Sequence, residues 1–165
     1  MALSLKEKNE ILEELKAELN KEIEIYIEVC KEGVQLPTYA TEGDAGMDIR
    51  AAEDVTIYPN ETKIIPTGLK MAIPEGYEIQ VRSRSGIALK QGLMVTNGIG
   101  TIDESYKGDI GVILTNTSKE AAIINQGDRI AQLVLMKVEK IDWNLVSDLN
   151  ESVRGEQGFG HSGIN

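Results

Sequence analysis

From Val55 onward the sequence is a succession of short β-rich runs closed by turn signals: Val55–Tyr58, Lys63–Pro66, Leu69–Ile73, Tyr77–Arg82, Leu93–Thr96, Ile110–Thr115, Ala121–Ile124 and Ile130–Val138. Strands at this spacing indicate a mainly β fold, an antiparallel sandwich or jelly roll. An earlier run, Glu22 to Val29, alternates polar and apolar residues without error and reads as a strand with one buried face. Within the β region only Ser85 to Lys90 has a helical pattern, with a polar start, three apolar residues and Gly92 as its stop. After Asp142 the pattern dissolves.

The first 20 residues differ from the rest. Ser4 and Glu7 form a capping box, and Leu5, Ile11, Leu12, Leu15 and Leu19 recur at helical spacing, so residues 3–20 are expected to form an amphipathic helix. Leu5, Leu12 and Leu19 are seven apart, but Lys8 interrupts the seam. A helix docked on its own domain or on a neighbouring subunit is the simpler expectation. The chain therefore divides into residues 1–21 as a helical extension, 22–148 as the β domain and 149–165 as a flexible C-terminal arm.

Composition removes several classes of function. No apolar run exceeds four residues, whereas a membrane-spanning helix needs about 20 and a signal peptide about 7–15. Membrane insertion and secretion are not expected. The formal charge of −10 repels polyanions, and no basic stripe offsets it, so nucleic-acid binding is not expected either. Cys30 is the sole cysteine, which leaves no internal disulfide and no Cys-based zinc site. A reducing, cytoplasmic location follows.

Three segments carry candidate chemistry. Gly158 to Gly163 matches GxGxxG, but the dinucleotide reading needs a following helix and the sequence ends two residues later. Its glycines would still let amides converge on an anion, with Arg154 and Ser162 adding donors and Phe159 a stacking face. A tail with an incidental aromatic is the alternative. Arg82 to Gly86 offers free amides and guanidiniums for a phosphate, or else an ordinary helix cap with two solvated arginines. Asn97 to Gly108 reads as strand, glycine-rich bend and hairpin; Asp103 within it is either a turn residue or a carboxylate able to take a proton from water.

Together, Ala45-Gly46-Met47-Asp48-Ile49, Arg84-Ser85-Gly86-Ile87-Ala88, Gly100 through Gly108, Gly127-Asp128-Arg129-Ile130-Ala131-Gln132-Leu133 and Arg154 through Gly163 resemble the five ordered motifs of the trimeric dUTPases. The resemblance covers about residue 22 to the end and leaves only the N-terminal helix outside. It implies a distorted jelly roll, a homotrimer whose active sites are shared between subunits, and Mg²⁺-dependent hydrolysis of dUTP to dUMP and pyrophosphate. Asp103 would activate the water that attacks the α-phosphorus. Ser85 and Gly86 would hold the phosphate chain with Arg84 supporting the turn, and Asp48 would orient waters around the metal. Asn97 and the backbone at Gly100, Thr101, Ile102 and Gly111 would pair with uracil. Tyr106 would lie against the deoxyribose, Gln132 would reach a phosphate, and Arg154, Phe159, Gly160, His161 and Ser162 would close over the substrate.

The sequence departs from that pattern at three positions. Ser83 stands where proline is usual, so the turn is expected to be less rigid; Gln157 replaces a common glycine; His161-Ser162 replaces Ser-Thr. The imidazole either donates to the outer phosphate when protonated or stands exposed beside the site. Two rivals share the fold. A dCTP deaminase would carry a glutamate where this chain has Ile113, and a catalytically silent nucleotide-binding or regulatory protein would not need Asp103, Tyr106, Arg154 and Phe159 together.

Overall fold

The computed structural model describes residues 4–19, 22–149 and 155 of the chain. The first element, α1, spans Leu5–Leu19. Its start is held by the expected reciprocal cap: the Ser4 N–H donates to Glu7 Oε2 at 2.7 Å and the Glu7 N–H to Ser4 Oγ at 3.3 Å. Leu5, Ile11, Leu12 and Leu15 nevertheless remain exposed, so the apolar stripe is not buried against its own β domain as one of the two docking expectations required.

Among the described residues eleven strands follow: β1 Tyr26–Val29, β2 Met47–Arg50, β3 Val55–Ile57, β4 Thr62–Pro66, β5 Leu69–Ala72, β6 Tyr77–Arg82, β7 Leu93–Val95, β8 Ile99–Ile102, β9 Gly111–Asn116, β10 Ala122–Ile124 and β11 Arg129–Lys137, with α2 at Ser85–Gln91 between β6 and β7. All pair antiparallel, in sheets ordered β2-β11-β6-β8, β4-β9-β7, β1-β5 and β3-β10. The mainly β expectation holds. The strand read over 22–29 is shorter than its alternation suggested, because its partner β5 offers only four residues, pairing Tyr26 with Ala72 through Val29 with Leu69.

Alternation sends one face of each sheet inward. Ile49, Ile79, Val81, Ala131 and Leu133 from the four-stranded sheet join Ile65, Val112, Leu114, Leu93 and Val95 from the three-stranded sheet in one core. Asn116 is a fully buried polar member, and its side-chain amide donates to the carbonyls of Ile57 and Glu120 while its oxygen accepts from the Ser118 N–H. This satisfies a group that would be costly to bury unpaired. Among the described residues no helix is long and apolar enough to cross a membrane.

Candidate functional site

β6 and β8 run side by side, Val81 facing Gly100 and Ile79 facing Ile102, and the chain then loops over residues 103–110 into β9 of the three-stranded sheet, so the expected hairpin is a crossing loop because β8 and β9 do not pair. Between β8, that loop and β9 lies a cleft of about 250 Å³. Asn97, Gly100, Thr101, Ile102, Asp103, Tyr106 and Gly111 line it, as do Val81, Val95, Asp109, Ile110 and Ile113. Seven residues expected from sequence to act together are thus brought to one place. The apolar wall from Val81, Val95 and Ile113 went unrecognised, since each of these residues reads as an ordinary core position in its strand.

The loop is fixed by its own bonds and by one to the turn before β6. The Tyr106 N–H donates to Asp103 O at 3.1 Å, and the Tyr106 hydroxyl donates to Asp109 O at 2.8 Å. Glu104 accepts from the Gly76 N–H at 3.0 Å, tying the loop to the turn before β6, and Lys107 Nζ donates to Glu104 O. Gly108 has to be glycine for the ring to fold back, because a Cβ there would stand 2.6 Å from the Tyr106 hydroxyl. Asp103, immediately after β8, is exposed at the mouth. The carboxylate of Asp109, which also lines the cleft, lies 3.8 Å from Lys70 Nζ; Cys30, Glu28 and Asp109 together hold that ammonium above its ordinary pKa.

A second group sits across the same sheet. Asp48 on β2 pairs in register with Gln132 on β11, which pairs with Arg82 on β6, which pairs with Ile99 on β8. Cross-strand partners share a face, so Asp48 and Gln132 project opposite to Val81 and Gly100 of the next row. Arg84 Nε donates to Asp48 Oδ1 at 2.7 Å and Arg129 Nη1 to Asp48 Oδ2 at 3.2 Å. Arg129 was not singled out in the sequence, although it lies inside the fourth motif. Ser85 and Gly86 begin α2, whose first turn has no side-chain cap, and both are exposed. Ser83, expected to leave this turn less rigid, is tied by accepting the Val95 N–H at 2.8 Å.

None of Asp48, Arg84, Ser85, Gly86 or Gln132 lines the cleft. Arg154, Phe159, Gly160, His161 and Ser162, and the departure at Gln157, lie outside the described residues.

An antiparallel β protein with a small cleft of backbone groups and two aspartates, Asp103 and Asp109, and a separate arginine-rich group, is suited to a ligand with a flat polar part and an anionic part. The comparisons with known proteins give that class a family. The model of the dUTPase family matches residues 32–163. The deoxyuridine 5'-triphosphate nucleotidohydrolase of Fusobacterium nucleatum is 50% identical over 145 residues, covering 87% of this chain and 99% of that protein. Among solved structures, a dUTPase of Staphylococcus bacteriophage 80alpha, a G-to-S variant with dUpNHpp, superposes with a TM-score of 0.75 at 29% identity, covering 86% of this chain and 99% of that one. A dUTPase of phage phi11 of S. aureus, described with a structural Mg(II) ion, superposes at 0.72 with 27% identity, covering 78% and 100%. The chain belongs to the dUTPase family.

Proposed function

We propose that this chain hydrolyses dUTP to dUMP and pyrophosphate in the presence of Mg²⁺, as a cytoplasmic homotrimer whose active sites are shared between subunits. The observation that carries the reading is the cleft, where Asn97, the β8 backbone, Tyr106 and Asp103 converge. Uracil presents a carbonyl, an N–H and a second carbonyl along one edge. Asn97 supplies an acceptor and donors, and the backbone near Thr101, Ile102 and Gly111 supplies the rest. Cytosine reverses part of that pattern and would leave buried polar groups unpaired. Ile113, where a deaminase would carry glutamate, gives the cleft an apolar wall instead.

With the base seated, Tyr106 lies against the deoxyribose and leaves no space for a 2′-hydroxyl. Asp103 at the mouth takes a proton from water as that water attacks the α-phosphorus, and the bond to the bridging oxygen breaks to release pyrophosphate. Positioning and charge neutralisation supply most of the acceleration in such a transfer.

The phosphate half of the site is Arg84, Ser85, Gly86 and Gln132. In one protomer these stand apart from the cleft, which supports their serving the cleft of a neighbouring copy. Residues 149–165 then act as the arm: Arg154, Gly160, His161 and Ser162 over the phosphates and Phe159 over the base. Residues 1–21 are an extension outside this machinery, and 22–148 are the catalytic β domain.

Among the described residues no three His, Cys, Asp or Glu side chains converge to hold a metal ion. Asp48 has both oxygens on guanidiniums. This donor set fits an ion carried mainly by the phosphates, with Asp48 reaching it through water. When bound, Mg²⁺ neutralises charge on the phosphate chain. Pyrophosphate release with dUTP and Mg²⁺, against a dCTP control, tests the proposal. Release from dUTP alone is expected; its absence would leave a binding protein, and release of ammonia from dCTP would restore the deaminase.

A further inference from the structure

β6 ends at Arg82, α2 begins at Ser85, and the step between them is made by Ser83 and Arg84. Ser83 Oγ accepts the Val95 N–H at 2.8 Å, a contact between residues 12 apart in sequence. Val95 lies on β7, an edge strand whose sole ladder partner is β9. The Thr96 N–H donates to Ile113 O at 2.9 Å. Successive amides of an antiparallel strand alternate in direction, so the Val95 N–H points away from β9. Val95 is 1% exposed, and without Ser83 its amide would be buried with no acceptor.

On the reading above, the two ends of this hydrogen bond serve different active sites: Val95 the base cleft of its own protomer, and the turn after Ser83 the cleft of a neighbouring copy. Val95 is part of the wall of the base cleft. Ser83 immediately precedes Arg84, which is locked on Asp48, and the uncapped first turn of α2. Nothing else in that turn contacts β7 through a side-chain hydrogen bond among the described residues.

We infer that Ser83 is a positioning residue: its hydroxyl, by holding the Val95 amide, fixes the Arg84–Gly86 turn against β7 and so sets where the phosphate chain is received. The inference rests on the dUTP reading above. Ser83 touches no substrate and acts through the turn. Its influence is therefore greatest on ligands that reach the turn and smaller on a ligand that fills only the base cleft.

The test compares the protein with Ser83→Ala and Ser83→Thr, titrated with Mg²⁺ and an imido analogue of dUTP, and separately with deoxyuridine, which has no phosphate. For Ser83→Ala, affinity for the triphosphate analogue is expected to fall about tenfold, as for one lost hydrogen-bond-scale interaction. Affinity for deoxyuridine should move by less than about twofold, and KM for dUTP should rise with kcat little changed. Ser83→Thr keeps the hydroxyl and should restore triphosphate binding. Equal loss for both ligands, no loss, or failure of threonine to restore binding would overturn the inference. Amide exchange at Val95 in the unaltered protein gives a readout independent of the folding of any variant: protection supports the hydrogen bond, and rapid exchange refutes it. If the unaltered protein releases no pyrophosphate from dUTP, the reaction reading fails, whereas Val95 exchange and the analogue titration still judge Ser83.

Discussion

The cleft, lined from both the four-stranded and the three-stranded sheet, and the Asp48 group on β2 of the four-stranded sheet are assembled in opposite ways. The cleft takes most of its lining from residues 95–113, close along the chain, and works through backbone groups, apolar walls and shape. The Asp48 group joins partners 36 and 81 residues apart and works through charge: one carboxylate, 12% exposed in its side chain, between guanidiniums that are 20% and 47% exposed. Local construction suits recognition of a rigid planar group, because a loop held by its own hydrogen bonds, as from Tyr106 to Asp103 and Asp109, keeps its geometry. Charge neutralisation tolerates looser geometry but needs opposite charges gathered from distant parts of the fold.

The sharpest way to test this division is Asp103→Asn. If the cleft carries the chemistry, kcat with dUTP should fall by about 10²–10⁴-fold, the range for a lost general base, while affinity for an imido analogue is retained. A matching loss of affinity would mean that Asp103 serves binding, and the contrast between a reacting half and a charge-bearing half would fail.

Asp48→Ala comes next in size and should act on stability first. It leaves Arg84 and Arg129 without their shared partner; breaking a buried ion pair costs about 3–5 kcal/mol, and the half-exposed Arg129 puts this one near about 3 kcal/mol. For a chain of this size that corresponds to a fall in Tm of roughly 6–12 °C, read at fixed protein concentration. An unchanged Tm would show that the guanidiniums find other acceptors and that Asp48 is not their anchor.

The same division decides what could be read beforehand. β6 has the predicted bounds, Tyr77–Arg82, because its alternation agrees with ladders on both sides. β2, quoted only as part of a motif, was not recognised as a strand: Met47–Arg50 is short and becomes one through pairing with β11, more than 80 residues later. The seven cleft residues were legible through the family resemblance, whose motif Gly100 to Gly108 carries five of them in one run. The Asp48–Arg129 pair and the Ser83–Val95 bond were not, since no local pattern announces which distant amide or guanidinium a side chain will meet. The exposed stripe of α1 shows the converse: helical periodicity and a capping box predict the helix well, but they do not specify what covers it.

Within the cleft, Gly108→Ala should have a smaller effect, directed at sugar selectivity. The added Cβ would stand 2.6 Å from the Tyr106 hydroxyl and 2.7 Å from the ring carbon that bears it, so the ring must move. The preference for dUTP over UTP, as a ratio of kcat/KM, should narrow by about tenfold, as expected for a methyl-sized change in a shape-selective pocket. An unaltered ratio would separate Tyr106 from sugar selection and weaken the case for a cleft that works by shape.

Tyr106→Phe should be the mildest change. It deletes the hydroxyl's bond to Asp109 O but leaves the ring and Gly108 in place. The bond is exposed, and a neutral hydrogen bond contributes about 1 kcal/mol net, so kcat/KM for dUTP should fall by less than about fivefold and selectivity should persist. Gly108→Ala and Tyr106→Phe therefore form a ranked pair measured by the same two-substrate assay. If phenylalanine proves the more damaging, the ring is held by the hydroxyl's tether rather than by the space Gly108 leaves. The cleft would then depend, like the Asp48 group, on a specific polar contact rather than on shape.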